Sequence, residues 1–181
     1  MEQNFIIAGF GGQGILFAGR VLANAFMLMG KNVTWYPCYG AEMRGGTVNC
    51  EIVISDDEVS SVHKENADCI IVLNHLSFDR FLPKVKSGGL ILSNSTLVDV
   101  TKSRSDIQYI SIPMTDIANK SGYNKLANMV ALGILTEIIP GLNEEILKQA
   151  LGKVLTDDRK HLIYPNLEVI KLGMNCIAPV H

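Results

Sequence analysis

Six residues near the start of the chain, Gly9-Phe10-Gly11-Gly12-Gln13-Gly14, have the composition of a ligand-binding turn. Glycine permits positive φ and lets a backbone approach a ligand or a neighbouring strand closely. Free N–H groups at the start of the helix that follows would face the crevice at a strand's carboxyl end, where an anion or a polar partner can sit. Gly9, Gly11 and Gly14 fit the spacing G-x-G-x-x-G of a dinucleotide fingerprint. That chemistry also needs an acid at the end of the second strand for the ribose, and the second strand runs instead into Tyr36-Pro37-Cys38. Glu42 comes too late, beyond a Pro and a Gly. No Lys-Ser or Lys-Thr follows Gly14, so the phosphate loop of nucleotide hydrolases is excluded as well. The glycines argue for a fold, and a tight turn packed for structure competes with a cofactor site.

The second unusual stretch is Tyr39-Gly40-Ala41-Glu42-Met43-Arg44-Gly45-Gly46-Thr47, between two strands. In extended backbone Glu42 and Arg44 project to one side. Arg44 could then hold a carboxylate or phosphate through two parallel hydrogen bonds, oriented by Glu42. The alternative is a Glu–Arg pair that staples the loop to its own domain. His75, at a strand's carboxyl end, reads as a helix start or an interface residue rather than a catalytic base. Neither Ser95-Thr96 nor any other serine stands in a nucleophile elbow. Cys38, Cys50, Cys69 and Cys176 contain no C-x-x-C pair, so neither a zinc knuckle nor an iron–sulfur ligand set is expected; each reads as a small buried hydrophobe in a reduced compartment.

These residues need strands and helices to position them. Phe5–Ala8 is a short apolar strand, and Ile15–Met29 carries Ile15, Gly19, Leu22, Phe26 and Met29 on one stripe, with Leu16, Ala23 and Met27 beside it. Such a helix is buried on more than one side. Val33–Tyr36 is expected as a second strand parallel to the first, and Thr47–Ser55 as an alternating strand half exposed near the sheet edge. Cys69–Leu73 reads as a central parallel strand, followed by a helix over Leu76–Val85. Gly88-Gly89 turns into a strand at Leu90–Ser93, and Ile107–Ser111 is another. Helices are predicted at Met114–Lys120, Lys125–Ile139, Asn143–Leu151 and His161–Met174. The whole chain of 181 residues reads as a single α/β domain, three-layered, with a mostly parallel sheet and helices on both faces.

With 16 basic and 18 acidic residues the formal charge is −2, which provides no basic field for nucleic acid or anionic membrane. No stretch is long and apolar enough to span a bilayer, and Met1 leads directly into a strand, so the expected location is the cytoplasm.

The two glycine motifs together, with Ala18-Gly19 after the first, resemble the gamma subunit of 2-oxoacid:ferredoxin oxidoreductases. Asn74 after the central strand and Asn128-Met129-Val130-Ala131-Leu132-Gly133 in a later helix also match that family. The likeness covers nearly the whole chain, and Glu42-Met43-Arg44-Gly45-Gly46-Thr47 is most similar to the 2-oxoglutarate branch. Cys38, Ala41 and His75 are modest departures. The resemblance implies oxidative decarboxylation of a 2-oxoacid with coenzyme A, giving acyl-CoA, carbon dioxide and reduced ferredoxin. It places thiamine diphosphate with Mg2+ on alpha and beta subunits, and iron–sulfur clusters on beta and a ferredoxin-like delta subunit. This chain is then a non-catalytic subunit without a cofactor of its own, structural and lying on the path of coenzyme A, with a homodimer open to it in isolation. A free-standing nucleotide- or acyl-CoA-binding module and a pure scaffold are the rival readings. The crevice implied comprises Gly9, Gly11, Gly12, Gln13 and Gly14, then Tyr39, Glu42, Arg44, Gly45 and Gly46, with Asn74 and Asn128 completing it.

Overall fold

In the computed structural model, residues 2–38, 47–59, 61 and 63–177 are described. Tyr39, Glu42, Arg44, Gly45 and Gly46 lie outside them.

The elements run β1 (Glu2–Phe10), α1 (Ile15–Leu28), β2 (Asn32–Cys38), β3 (Thr47–Ser55), β4 (Ala67–Val72), α2 (His75–Phe81), β5 (Val85–Asn94) and β6 (Gln108–Ile112), followed by α3 (Met114–Lys120), α4 (Ala127–Thr136), α5 (Glu144–Val154) and α6 (Ile163–Met174). The strands form one six-stranded sheet in the order β2-β3-β1-β4-β5-β6. β1, β4, β5 and β6 are parallel, while β3 runs antiparallel to both β1 and β2. Alternation along β1 and β4 splits the core in two. Phe5, Ile7, Cys69 and Ile71 face a large cluster with residues of α1, α3, α4, α5 and α6. Ile6, Ala8, Ile70 and Val72 face a smaller one built on Phe78, Phe81 and Leu82. The helices therefore lie on both faces, unequally, as a mixed α/β sandwich of sheet and helix layers.

Several expectations are corrected. β3 is not a half-exposed edge strand, because it inserts between β1 and β2 and is buried from Asn49 to Ser55. Its polar residues Asn49 and Glu51 are 4% and 2% exposed. The Glu51 carboxylate is 2.7 Å from His63 Nδ1, which relieves the cost of burying it. β2 thus takes the sheet edge; it runs in the same direction as β1 but is separated from it by β3. The helix after β4 stops at Phe81, a 3-10 turn covers Leu82–Lys84 with Pro83 in its first turn, and Val85 already belongs to β5. Gly88-Gly89 is an irregularity inside β5, where the pairing jumps from Ala67↔Val85 to Cys69↔Leu90. Met27 is 55% exposed, so the second stripe of α1 is not buried throughout.

The carboxyl end of α1 and the amino end of α5 fall where the sequence places them. At the carboxyl end of α1 Gly30 has φ 81, and Lys31 donates its N–H to the Phe26 carbonyl. Asn143 caps α5 by accepting from the Ile146 N–H at 3.0 Å, with Glu144 and Glu145 at the positive end of the dipole.

Candidate functional site

The chain leaves β1 to build β2 and β3 on one side, then crosses to β4 on the other. This places a switch point between β1 and β4, where open α/β sheets gather ligands. The glycine turn stands there. Gly12 has φ 90 and Gly14 φ 69, conformations in which a side chain is strained. Gly14 is itself the N-cap of α1, so no side chain caps the helix, and its first turn carries no acid. The first N–H groups of α1 are then left to water or to a ligand.

Gln13 closes the floor of the turn. Its Oε1 accepts from the Phe10 N–H at 2.6 Å, and its Nε2 donates to the Leu73 carbonyl at 3.3 Å, joining the carboxyl ends of β1 and β4. Gly9 is needed for this arrangement, since a Cβ there would stand 2.6 Å from Gln13 Oε1. Asn128 braces the turn from behind. Its Nδ2 donates to the Gly14 carbonyl at 3.1 Å while its Oδ1 accepts from the Met129 N–H. Asn128 is 3% exposed, so its visible task is to tie the start of α4 to the start of α1. Gly11 and Gly12, by contrast, are exposed, and nothing lies within 4 Å of a Cβ built on either.

Three cavities line the carboxyl edge of the sheet. One of about 330 Å3 lies between the turn, the first residues of α1 and Val48. A second, of about 230 Å3, runs from Gly12 and Gln13 to Thr115, Asn119, Asn124 and Lys125. The third, of about 450 Å3, lies between His75, Ser95, Thr96, Asp99 and Thr101. Gly12 is shared by the first two and Leu97 by the last two, so they form a broken trench. The wall of the middle cavity is held by Asn94, whose side chain accepts from the Thr115 N–H at 3.1 Å and donates to Thr115 Oγ1 at 2.8 Å.

Of the crevice residues expected from sequence, Gly9, Gly11, Gly12, Gln13, Gly14 and Asn128 are thus brought together. Asn74 follows Leu73, whose carbonyl Gln13 holds; it is 1% exposed and caps α2, its Oδ1 accepting from the Ser77 N–H at 2.8 Å. Its neighbour His75 opens that helix and lines the 450 Å3 cavity, 3.5 Å from Asp79. The Tyr39–Gly46 motif falls outside the described residues, but its flanks reach the site: Thr47 pairs with Phe10, and Cys38 with Asn49. The wall from Leu97 to Lys125 was not read from the sequence. A run of small polar residues just before the apolar helix is its only local trace.

The cysteines do not form a reactive cluster. Burial pushes the thiols of Cys50 and Cys69 up to about 12, and raises those of half-buried Cys38 and Cys176. Only two of the four are therefore fully buried. A disulfide reagent at about pH 8 should find Cys38 and Cys176 slow and Cys50 and Cys69 silent until the protein unfolds. Fast native labelling of Cys50 or Cys69 would contradict their placement. Among the described residues no group of three or more His, Cys, Asp or Glu could hold a metal ion, and no helix is long and apolar enough to cross a membrane.

Comparison with known proteins gives this geometry a family. Residues 4–176 match the family described as pyruvate ferredoxin/flavodoxin oxidoreductase. The chain is 38% identical to the ketoisovalerate oxidoreductase subunit VorA of Methanothermobacter thermautotrophicus, covering 95% of itself and 36% of that protein. It therefore spans about a third of the length of that relative. It is 35% identical to the 2-oxoglutarate synthase subunit KorC of Archaeoglobus fulgidus over 95% of itself and 86% of that protein. Among solved structures, the gamma subunit of a keto/oxoacid ferredoxin oxidoreductase from Geobacter sulfurreducens superposes with a TM-score of 0.78 at 25% identity, covering 94% of this chain and 95% of that one. A 2-oxoglutarate:ferredoxin oxidoreductase from Magnetococcus marinus, solved with 2-oxoglutarate, coenzyme A and succinyl-CoA bound, shares the fold with a TM-score of 0.85 at 23% identity; 99% of this chain and 32% of that one are covered. The match over residues 4–176, together with these relatives, shows that this chain belongs to the pyruvate ferredoxin/flavodoxin oxidoreductase family, in the form that its gamma subunits take.

Proposed function

We propose that this chain is the gamma subunit of a multi-subunit 2-oxoacid:ferredoxin oxidoreductase and forms part of the path by which coenzyme A enters. The reaction is the coenzyme A-dependent oxidative decarboxylation of a 2-oxoacid to acyl-CoA and carbon dioxide, its electrons passing to ferredoxin. Thiamine diphosphate, Mg2+ and iron–sulfur clusters supply that chemistry on alpha, beta and delta-type subunits. No chemical step is assigned to this chain.

One observation carries the coenzyme A part. The exposed glycines of a turn held rigid by Gln13 and Asn128 face open cavities at the uncapped start of a helix, a surface suited to the backbone-mediated binding of a phosphate-bearing ligand. Its contribution is binding and orientation: uncapped N–H groups toward an anion, and apolar Ile15, Leu16 and Phe17 along the first cavity. The crevice proposed comprises the first glycine motif together with Tyr39, Glu42, Arg44, Gly45 and Gly46. Asn74 and Asn128 support it as helix cap and brace. The substrate proposed is 2-oxoglutarate. A branched 2-oxoacid is the second reading, favoured by the likeness to the ketoisovalerate subunit. The location proposed is the cytoplasm.

The test is Gly11→Leu in the intact complex. Its Cβ meets nothing in the protein and Gly11 does not need positive φ, so the subunit should fold and assemble while the new side chain fills the turn's mouth. The KM for coenzyme A should rise about tenfold or more, with KM for the 2-oxoacid unchanged. An unaltered coenzyme A KM in an assembled complex would leave this chain a scaffold; assays across several 2-oxoacids name the substrate.

A further inference from the structure

Three of the large apolar side chains left exposed gather around the 450 Å3 cavity: Leu76 is 52% exposed, Leu97 43% and Val100 39%. Leu97 lines the cavity, Leu76 follows His75 of its wall, and Val100 stands between Asp99 and Thr101 of its lining. Exposed apolar side chains grouped in this way mark an interaction surface, whereas single ones are ordinary. The loop that presents two of them is fixed. The N–H groups of Leu97 and Val98 donate to the Asn94 carbonyl at 3.0 and 2.9 Å, and Val98 is buried in the smaller core cluster. Thr96 Oγ1 accepts from the Asp116 N–H at 3.3 Å, and Lys102 Nζ donates to Asp79 of α2 at 2.9 Å. The two walls, α2 and the loop 95–101, are thus tied together while their apolar residues stay in solvent.

The polar groups within this rim suit a cation. Asp99 is exposed and forms no ion pair among the described residues, and the same is true of Asp116. Lys102, which follows Thr101, is already engaged by Asp79. Ser95, Thr96 and Thr101 add hydroxyl oxygens to the lining. His75 adds an acceptor: Asp79 stands 3.5 Å from its Nε2, which favours the proton on that nitrogen, and its Nδ1 is buried without a partner. A carboxylate in open water gains little from a cation, but one that apolar side chains shield from water gains far more.

We propose that this cavity receives an arginine of another subunit, its guanidinium on Asp99 and the loop hydroxyls, its apolar neighbours on Leu76, Leu97 and Val100. This rests on the reading of the chain as one subunit of a complex, and adds where a neighbour is held and by what chemistry. A guanidinium suits the cavity because its planar fork of donors meets a carboxylate and several further oxygens at once. A small free cation would use Asp99 and leave the three apolar side chains in water. A protein segment with an arginine among apolar residues covers both, in the manner of an interface centre shielded by its surroundings.

The test uses the complex purified with its subunits, carrying Asp99→Asn, Asp99→Arg or Leu76→Ala in this chain. Asp99→Asn keeps the shape of an exposed side chain and removes only its charge, so folding is not at stake. The dissociation constant of this subunit should rise about tenfold or more with Asp99→Asn, further with Asp99→Arg, and about fivefold with Leu76→Ala. It should rise with salt in the parent and less steeply in Asp99→Asn, a difference that a merely structural role would not produce. A benzophenone maleimide on Val100→Cys should cross-link to another subunit, in a segment that contains an arginine. Unchanged dissociation of both Asp99 variants, with the subunit still in the complex, refutes the docking site and leaves the subunit reading standing. A parent chain that purifies without partners refutes the subunit reading itself. Cross-links that reach only a second copy of this chain overturn the assignment to another subunit.

Discussion

Gly133→Ala should destabilise the subunit by about 3 kcal/mol or more, an overpacking cost at the upper end of those seen in protein cores. Gly133 lies at the crossing of α4 and α6, where a Cβ would stand 2.0 Å from the Ile170 carbonyl oxygen. The contact is reciprocal: a Cβ on Gly173 would meet the Val130 carbonyl oxygen at 2.1 Å. The obstacle is backbone on both sides, so no rotamer change can relieve it; one helix must move. α4 cannot move freely, because all residues from Ala127 to Leu135 are buried and Asn128 is tied to Gly14. The check is a denaturant titration, in which the midpoint falls while the slope stays that of the parent. Gly173→Ala should behave alike, and the two together should cost less than their sum, because a shift that admits one methyl admits part of the other. A stability change of less than about 0.5 kcal/mol for either would mean that the helices do not meet backbone to backbone.

Gly14→Ala should cost about 2–3 kcal/mol, combining left-handed backbone strain with the loss of a buried hydrogen bond. Gly14 has φ 69, and a Cβ there would stand 2.4 Å from Asn128 Nδ2. Asn128→Ala alone removes the brace and leaves the Gly14 carbonyl without its side-chain donor, which should cost about 1–2 kcal/mol. Combined, the double variant should be more stable than the sum of the singles predicts, since removing the amide also removes the clash. The same cycle has a functional readout. If the glycine turn orients coenzyme A, Gly14→Ala should raise its KM in the complex even at temperatures where the variant is fully folded. Strict additivity of the two stability effects would show that Asn128 does not contact the turn.

The glycine turn was legible because its signals are local. A strand, Gly9 to Gly14 and an apolar helix follow one another within 30 residues, and each glycine has a stated backbone reason: Gly9 clears Gln13, Gly12 and Gly14 take positive φ. The order of elements was likewise readable from periods of two and of three to four. Strand neighbours were not. The alternation of β3 is the same whether its polar face meets water or a covering segment, and only His63, twelve residues away, reveals that Glu51 is buried. Asn74 and Asn128 are read as parts of a crevice from their likeness to a family; their contacts are those of a helix cap and a brace, tasks that depend on what packs beside them.

The sequence by itself determined the class of fold and the existence of a glycine-lined turn at a strand's end, because both follow from local backbone preferences and residue spacing; the family followed from the likeness of its motifs to those of known proteins. Only the tertiary structure decided where the chain reverses between β1 and β4, which helix braces the turn, and that Lys125 faces Gly12 across one cavity. These depend on contacts between residues far apart in the chain, such as Phe5 with Cys69 and Gly14 with Asn128, for which no local spacing rule exists.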